Sequence, residues 1–216
     1  MNKETVSTKT RLLETASRIF SEHGYAGTSI RMIAGELGVS VSAVSFHYGS
    51  KEILYKAVLE RAAAISEEFY GPLPSLVRSA YEQNELDQDS AREYLKRFVE
   101  LFLDWALGAG PVDVVKIIIW EHTVPTQYNN IIYEKLKTCF LDVIEILLKV
   151  ITGIKDEYMI KLLTHTIAGE IIYFYEDRMV VEYNLIDNYT TNKDKAKDLL
   201  LRKIMIEVEH YSELEN

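Results

Sequence analysis

The stretch Thr28–Glu52, "TSIRMIAGELGVSVSAVSFHYGSKE", decides the fold of this chain. Ile30, Ile33, Ala34 and Leu37 recur at helical spacing, and Gly38 follows as a natural stop. Thr28 or Ser29 stands where a helix cap belongs. Ser40 stands in the same place before a second short helix, Val41 to His47, because its side-chain oxygen can accept from an exposed backbone N–H. Two short helices joined by a glycine turn make a helix-turn-helix. The second is too short to bury an apolar face alone, so Val44 and Tyr48 lean on neighbouring helices. That leaves Val41, Ser42, Ser45 and Phe46 on the opposite side. Small residues let a helix approach the floor of a major groove, and hydroxyls both donate and accept there.

Working outward, Leu12, Leu13, Ala16, Ile19 and Phe20 predict a first helix over Lys9 to His23, stopped at Gly24. After "YGSKE", with Ser50 as a cap, a long helix runs from Lys51 to about Tyr70 and ends at "GPLP". Further on, Ser90 and Glu93 have capping-box spacing. Tyr94, Leu95, Phe98, Leu101, Phe102 and Trp105 then make a broad apolar stripe. "VDVVKIIIWEHT" reads as a short helix apolar on nearly all sides, hence buried. Three more helices are expected over about 127–152, 156–183 and 194–211. The four prolines avoid the strongest helical patterns, and no segment alternates as a strand does. The fold class is all-α: an N-terminal three-helix helix-turn-helix domain over residues 1–55, then a larger helical bundle over 56–216.

The net charge of −9 is unevenly spread. Residues 1–70 hold eight Lys/Arg and eight Asp/Glu, whereas the rest hold 16 against 25, so a nucleic-acid surface belongs in the first third. The single cysteine, Cys139, makes no internal disulfide and sits on an apolar face as a small hydrophobe. No apolar run reaches the ~18–20 residues that span a bilayer, and the first residues lack a signal-peptide core. A cytoplasmic protein without membrane contact is the expectation. Glu121–His122 and His165 with Glu170 match no HExxH-type spacing, and neither a GxxxxGK[ST] loop nor a GxSxG elbow occurs. The expectation is no metal, no cofactor and no enzyme activity.

Over residues 9 to about 60 the order and spacing of "A..iF...Gy..tsi..IA...Gvs...v..Hy.sKe.Ly" resemble the TetR family of bacterial transcriptional regulators. The resemblance implies a dimeric all-helical protein, usually a repressor, released from a palindromic double-stranded DNA operator by a small molecule bound in the C-terminal domain. It places Thr28, Arg31, Ser40, Val41, Ser42, Ser45, Phe46, His47 and Lys51 at or beside DNA, with Arg31 reaching a guanine or phosphate and Lys51 a phosphate. Ser45 departs from the family, which mostly has a phosphate-touching tyrosine there, and Phe46 carries no hydroxyl. "WEHTVPTQYNNIIYEKL" and "LLTHTIAGEIIYFYEDR" are similar to the regulatory domain of CecR-type members. The aromatic-rich region suggests an effector site drawn from Phe98, Phe102, Trp105, Trp120, His122, Tyr133, His165 and Tyr173. The last two long helices, with Ala168–Gly169 in one and Leu199, Leu200, Ile204 and Ile206 in the other, suggest a homodimer interface. The alternative is a helix-turn-helix protein that serves chiefly as a protein-interaction module with a vestigial DNA face.

Overall fold

The computed structural model describes residues 7–105, 111–176 and 189–211, with side chains of 174–176, 189–193 and 196 outside that description. Among the described residues there is no strand. The helices are α1 (Thr8–Gly27), α2 (Ile30–Leu37), α3 (Val41–Tyr48), α4 (Lys51–Tyr70), α5 (Leu73–Glu82), α6 (Gln88–Asp104), α7 (Val112–Thr123), α8 (Asn130–Leu136), α9 (Asp142–Thr152), α10 (Glu157–Glu176) and α11 (Tyr189–His210). A five-residue π-helical turn, Lys137–Leu141, joins α8 to α9.

The residues group into two compact units. One comprises the chain up to Glu68 together with Pro111–Lys135; the other comprises Phe69–Gly110 and the chain from Leu136. The first unit therefore takes in α7 and α8, which the sequence reading assigns to the C-terminal domain. Its core is built from Leu12, Ala16, Ile19 and Phe20 of α1, Ile33 and Ala34 of α2, Val44 and Tyr48 of α3, Leu54, Tyr55, Val58 and Leu59 of α4, and Val114, Val115 and Ile117 of α7. Tyr48 reaches across α1, where its hydroxyl donates to the Lys9 carbonyl at 3.0 Å. The second unit packs α9 against α5, α6, α10 and α11, with Leu95, Phe98, Val99, Leu103, Ile144, Leu147, Leu148, Ile160 and Ile171 buried together.

Several sequence expectations change in detail. Of the two cap candidates for α2, Ser29 serves: its side chain accepts from the Met32 N–H at 3.2 Å. Asp87, not Ser90, caps α6, accepting from the Ser90 N–H at 2.8 Å and leaving Ser90 three residues past the cap, inside the first turn. α5 is an additional helix after "GP", since Pro72 and Pro74 occupy the first-turn positions where a missing N–H costs nothing. α7 is not buried all round, because Val112, Trp120 and His122 face outward. The helix expected to continue to Tyr183 is described only as far as Glu176. Among the described residues no helix is long and apolar enough to cross a membrane.

Candidate nucleic-acid interface

α2 and α3 hold their relation through a chain of local interactions. Gly38 takes a left-handed conformation (φ 72°) and its N–H closes α2 on the Ala34 and Gly35 carbonyls. Ser40 then caps α3, accepting from the Ala43 N–H at 3.2 Å and lying 2.8 Å from the Ser42 hydroxyl. Val44 and Tyr48 turn inward. Val41, Ser42, Ser45 and Phe46 turn outward, as the helical spacing predicts, and Phe46 is 85% exposed. His47 lies half-buried beside it, its ring 5.2 Å from that of Phe46 and nearly perpendicular.

The flanking charges are disposed to favour an anion. Arg31 is exposed at the start of α2 and makes no ion pair with a described residue. Glu22 and Glu36, by contrast, are both engaged by Arg18. Lys51, at the start of α4, lies with its ammonium 4.3 Å from the centre of the Tyr25 ring. Tyr25 in turn donates to Glu52 at 3.3 Å. Burial, then the charge of Glu52, pushes the Tyr25 phenol up to about 12, so the ring stays neutral under the lysine. The Ser50 hydroxyl beside it holds the Glu52 carboxyl below the usual range. Thr28 is the exception among the candidate DNA residues. It is buried, and its hydroxyl donates to the Gly24 carbonyl at 2.8 Å.

The sequence reading overlooks what holds this unit to α7. Tyr55 is 2% exposed and Glu121 is 5% exposed, and the phenol donates to the carboxylate at 2.5 Å. Glu121 also accepts from the Thr126 N–H at 3.1 Å and from its hydroxyl at 3.0 Å. Burial, then the bond to Glu121, pushes the Tyr55 phenol far above its ordinary value. On the residue just before Glu121, the Trp120 indole N–H donates to the Ser21 carbonyl at 3.0 Å. The indole lies so close over Gly24 that an added Cβ would meet it at 3.4 Å. Arg61 bridges Ser17 and Asp113, both at 3.2 Å. A glutamate inside an apolar helix was the available signal, since such a group is buried only with partners.

The eight effector-site candidates do not form one cluster. Phe98, Phe102 and Trp105 gather in the second unit with Phe69, Tyr70 and Phe140. Tyr70 stacks on Phe98 at 5.3 Å, and Phe102 meets Phe140 at 4.1 Å. The π-helical turn delivers Phe140 and Cys139 to this core. Burial raises the Tyr70 phenol far above its usual value. Trp120, His122 and Tyr133 belong to the first unit, where all three are exposed. His165 and Tyr173 lie on the outer face of α10 with Gly169.

Residues 12–58 match the family model described as bacterial regulatory proteins, tetR family. The chain is 27% identical over 197 residues to the HTH-type transcriptional dual regulator CecR of Shigella flexneri, covering 90% of this chain and 86% of the relative. It is 39% identical over 59 residues to the HTH-type transcriptional repressor AcnR of Corynebacterium efficiens, covering 27% of this chain and 31% of the relative. Among solved structures, AibR in complex with isovaleryl coenzyme A and operator DNA superposes with a TM-score of 0.60 at 19% identity, covering 79% of this chain and 86% of that one. A Saccharomonospora viridis regulator in complex with choline gives 0.58 at 20% identity, covering 94% and 95%. Bacillus subtilis FadR in complex with stearoyl-CoA gives 0.54 at 17% identity, covering 88% and 96%. The capped helix-turn-helix lies inside the matched segment, so residues 12–58 carry a tetR-family domain, and the chain is a homologue of the transcriptional regulator CecR.

Proposed function

We propose that this chain is a ligand-responsive repressor that binds a palindromic operator as a homodimer and leaves it when a small molecule occupies the second unit. The observation that carries the reading is α3 itself. A helix capped by Ser40 presents Ser42, Ser45 and Phe46 outward, with Arg31 and Lys51 beside it to meet phosphates or a base. The effector is apolar or aromatic and lies around Phe98, Phe102 and Trp105, where aromatic side chains concentrate. Trp105 lies against Phe69 with ring centres 4.7 Å apart, the planes tilted by 58°, and reports occupancy through its fluorescence.

Dimerisation is supported by an outward apolar stripe. Tyr158, Leu162, Gly169 and Tyr173 recur along one face of α10, and Leu199 and Ile206 along one face of α11. A monomer would leave this stripe in water. Two recognition helices one DNA turn apart require the two-fold axis that such an interface supplies.

The test begins with selection from random double-stranded DNA, followed by gel-shift titration of the enriched sequence over a range of salt. A palindrome bound more weakly as salt rises is expected. Lys51→Ala should weaken binding to all sequences and flatten the salt slope. Arg31→Ala should weaken binding by about 1–3 kcal/mol if it pairs with guanine. A helix-turn-helix retained only for protein contacts would enrich no sequence.

A further inference from the structure

We propose that Phe46 is a specificity-determining residue that reads the 5-methyl group of a thymine at a fixed position in each half-site. The inference rests on the DNA-binding reading above and adds to it the chemistry of one base contact. Phe46 is 85% exposed, more than any other large apolar side chain described. It lies two residues from buried Val44 and two from buried Tyr48, so it points away from the core. Ser42, one turn before it on the same face, and Ser45 beside it are small and exposed. The described ring contact is with His47, edge-on at 5.2 Å.

A phenyl ring offers no hydrogen-bond donor or acceptor. It therefore contributes nothing to the polar edges of guanine, cytosine or adenine, and only weakly to a phosphate. The thymine methyl is the one apolar feature that the major groove displays. A helix entering that groove brings its outermost apolar side chain against the base edges, and covering ring and methyl together removes both from water. Intercalation is the other use of an exposed apolar side chain on DNA, but such wedges enter from the minor groove. Small hydroxyl residues on either side allow the approach and leave the methyl contact to Phe46.

The experiment uses the full chain and the duplex enriched from random DNA. Each thymine is replaced in turn, in both half-sites, by deoxyuridine, which removes only the methyl group. At one position per half-site, binding should fall about fourfold per methyl, the loss expected for roughly one buried methylene, or about fifteenfold for both. Phe46→Gln should bind the thymine duplex more weakly and bind the thymine and uracil duplexes equally. Phe46→Leu should restore part of the difference. Circular dichroism checks folding, which an outward side chain does not decide. If no uracil substitution weakens the wild type, or if Phe46→Gln keeps the same thymine-to-uracil ratio, the inference is overturned while the operator-binding reading stands. If no sequence is enriched at all, both fall.

Discussion

Replacing Tyr55 by phenylalanine tests whether the buried bond to Glu121 secures α7 to the first unit. The substitution removes one oxygen and leaves the ring, whose contacts with Phe20 at 4.7 Å and Tyr25 at 4.8 Å persist. What is lost is a 2.5 Å hydrogen bond from a phenol to a carboxylate, both almost out of water. Bonds to charged groups contribute about 1.5–3 kcal/mol. Glu121 keeps its two interactions with Thr126, so the upper end of that range, which assumes a stranded group, does not apply. The expected loss is about 2 kcal/mol. For a chain of this size that lowers the melting temperature by about 4–8 °C. Glu121→Gln, which still accepts, should cost less, and the double variant should show coupling of at least about 0.5 kcal/mol. Thermal unfolding followed by circular dichroism gives the first number, and hydrogen exchange across α7 shows where protection is lost. If Tyr55→Phe melts within about 1 °C of wild type, the bond contributes nothing net and the attachment of α7 rests on apolar packing alone.

Gly24 has φ 66° and ψ 176°, a conformation essentially confined to glycine, so Gly24→Ala should cost about 1–3 kcal/mol in urea unfolding, increased by contact with the Trp120 ring. The Ser90 hydroxyl and N–H lower the Asp87 carboxyl below its usual value. That capping stability is complete above the unfolded value of about 4 and is lost as pH falls through the lower folded value. Asp87→Asn should therefore unfold with a flatter pH dependence than wild type below about pH 4. Gly169 has nothing within 4 Å of an added Cβ, so Gly169→Trp should keep the helical circular dichroism of the wild type and sediment as a monomer. A dimer that survives Gly169→Trp would move the interface away from the middle of α10.

The helix-turn-helix was legible because its determinants are local. Ser40, Gly38, Val44 and Tyr48 act within a few residues of one another, and period and capping chemistry suffice to orient α3. The same local reading locates Gly24 as a break, although the helix resumes after it to Gly27. It leaves the α2 cap open between Thr28 and Ser29 and misplaces the α6 cap by three residues, because Thr28 and Ser90 are as chemically suited as the residues that serve. Thr28 is drawn inward by the Gly24 carbonyl four residues earlier, a competitor for its hydroxyl that capping chemistry alone does not rank.

The assignment of α7 was illegible for a related reason. "VDVVKIIIWEHT" is apolar enough to suit any core, and periodicity does not say which core receives it. Chain order places it among the sensor helices, yet Val114, Val115 and Ile117 are buried in the same unit as Leu12 and Phe20. The polar residues decide the matter. Glu121 needs a buried donor, which Tyr55 provides; Asp113 needs a cation, which Arg61 provides; and the Trp120 indole needs a carbonyl, which Ser21 provides. Each partner lies in α1 or α4. Apolar burial alone would let this helix slide or exchange partners, whereas three directional bonds at different points along it fix its place. α7 is therefore part of the body that carries the helix-turn-helix, and a change in its position within that unit must break or rebuild those three contacts.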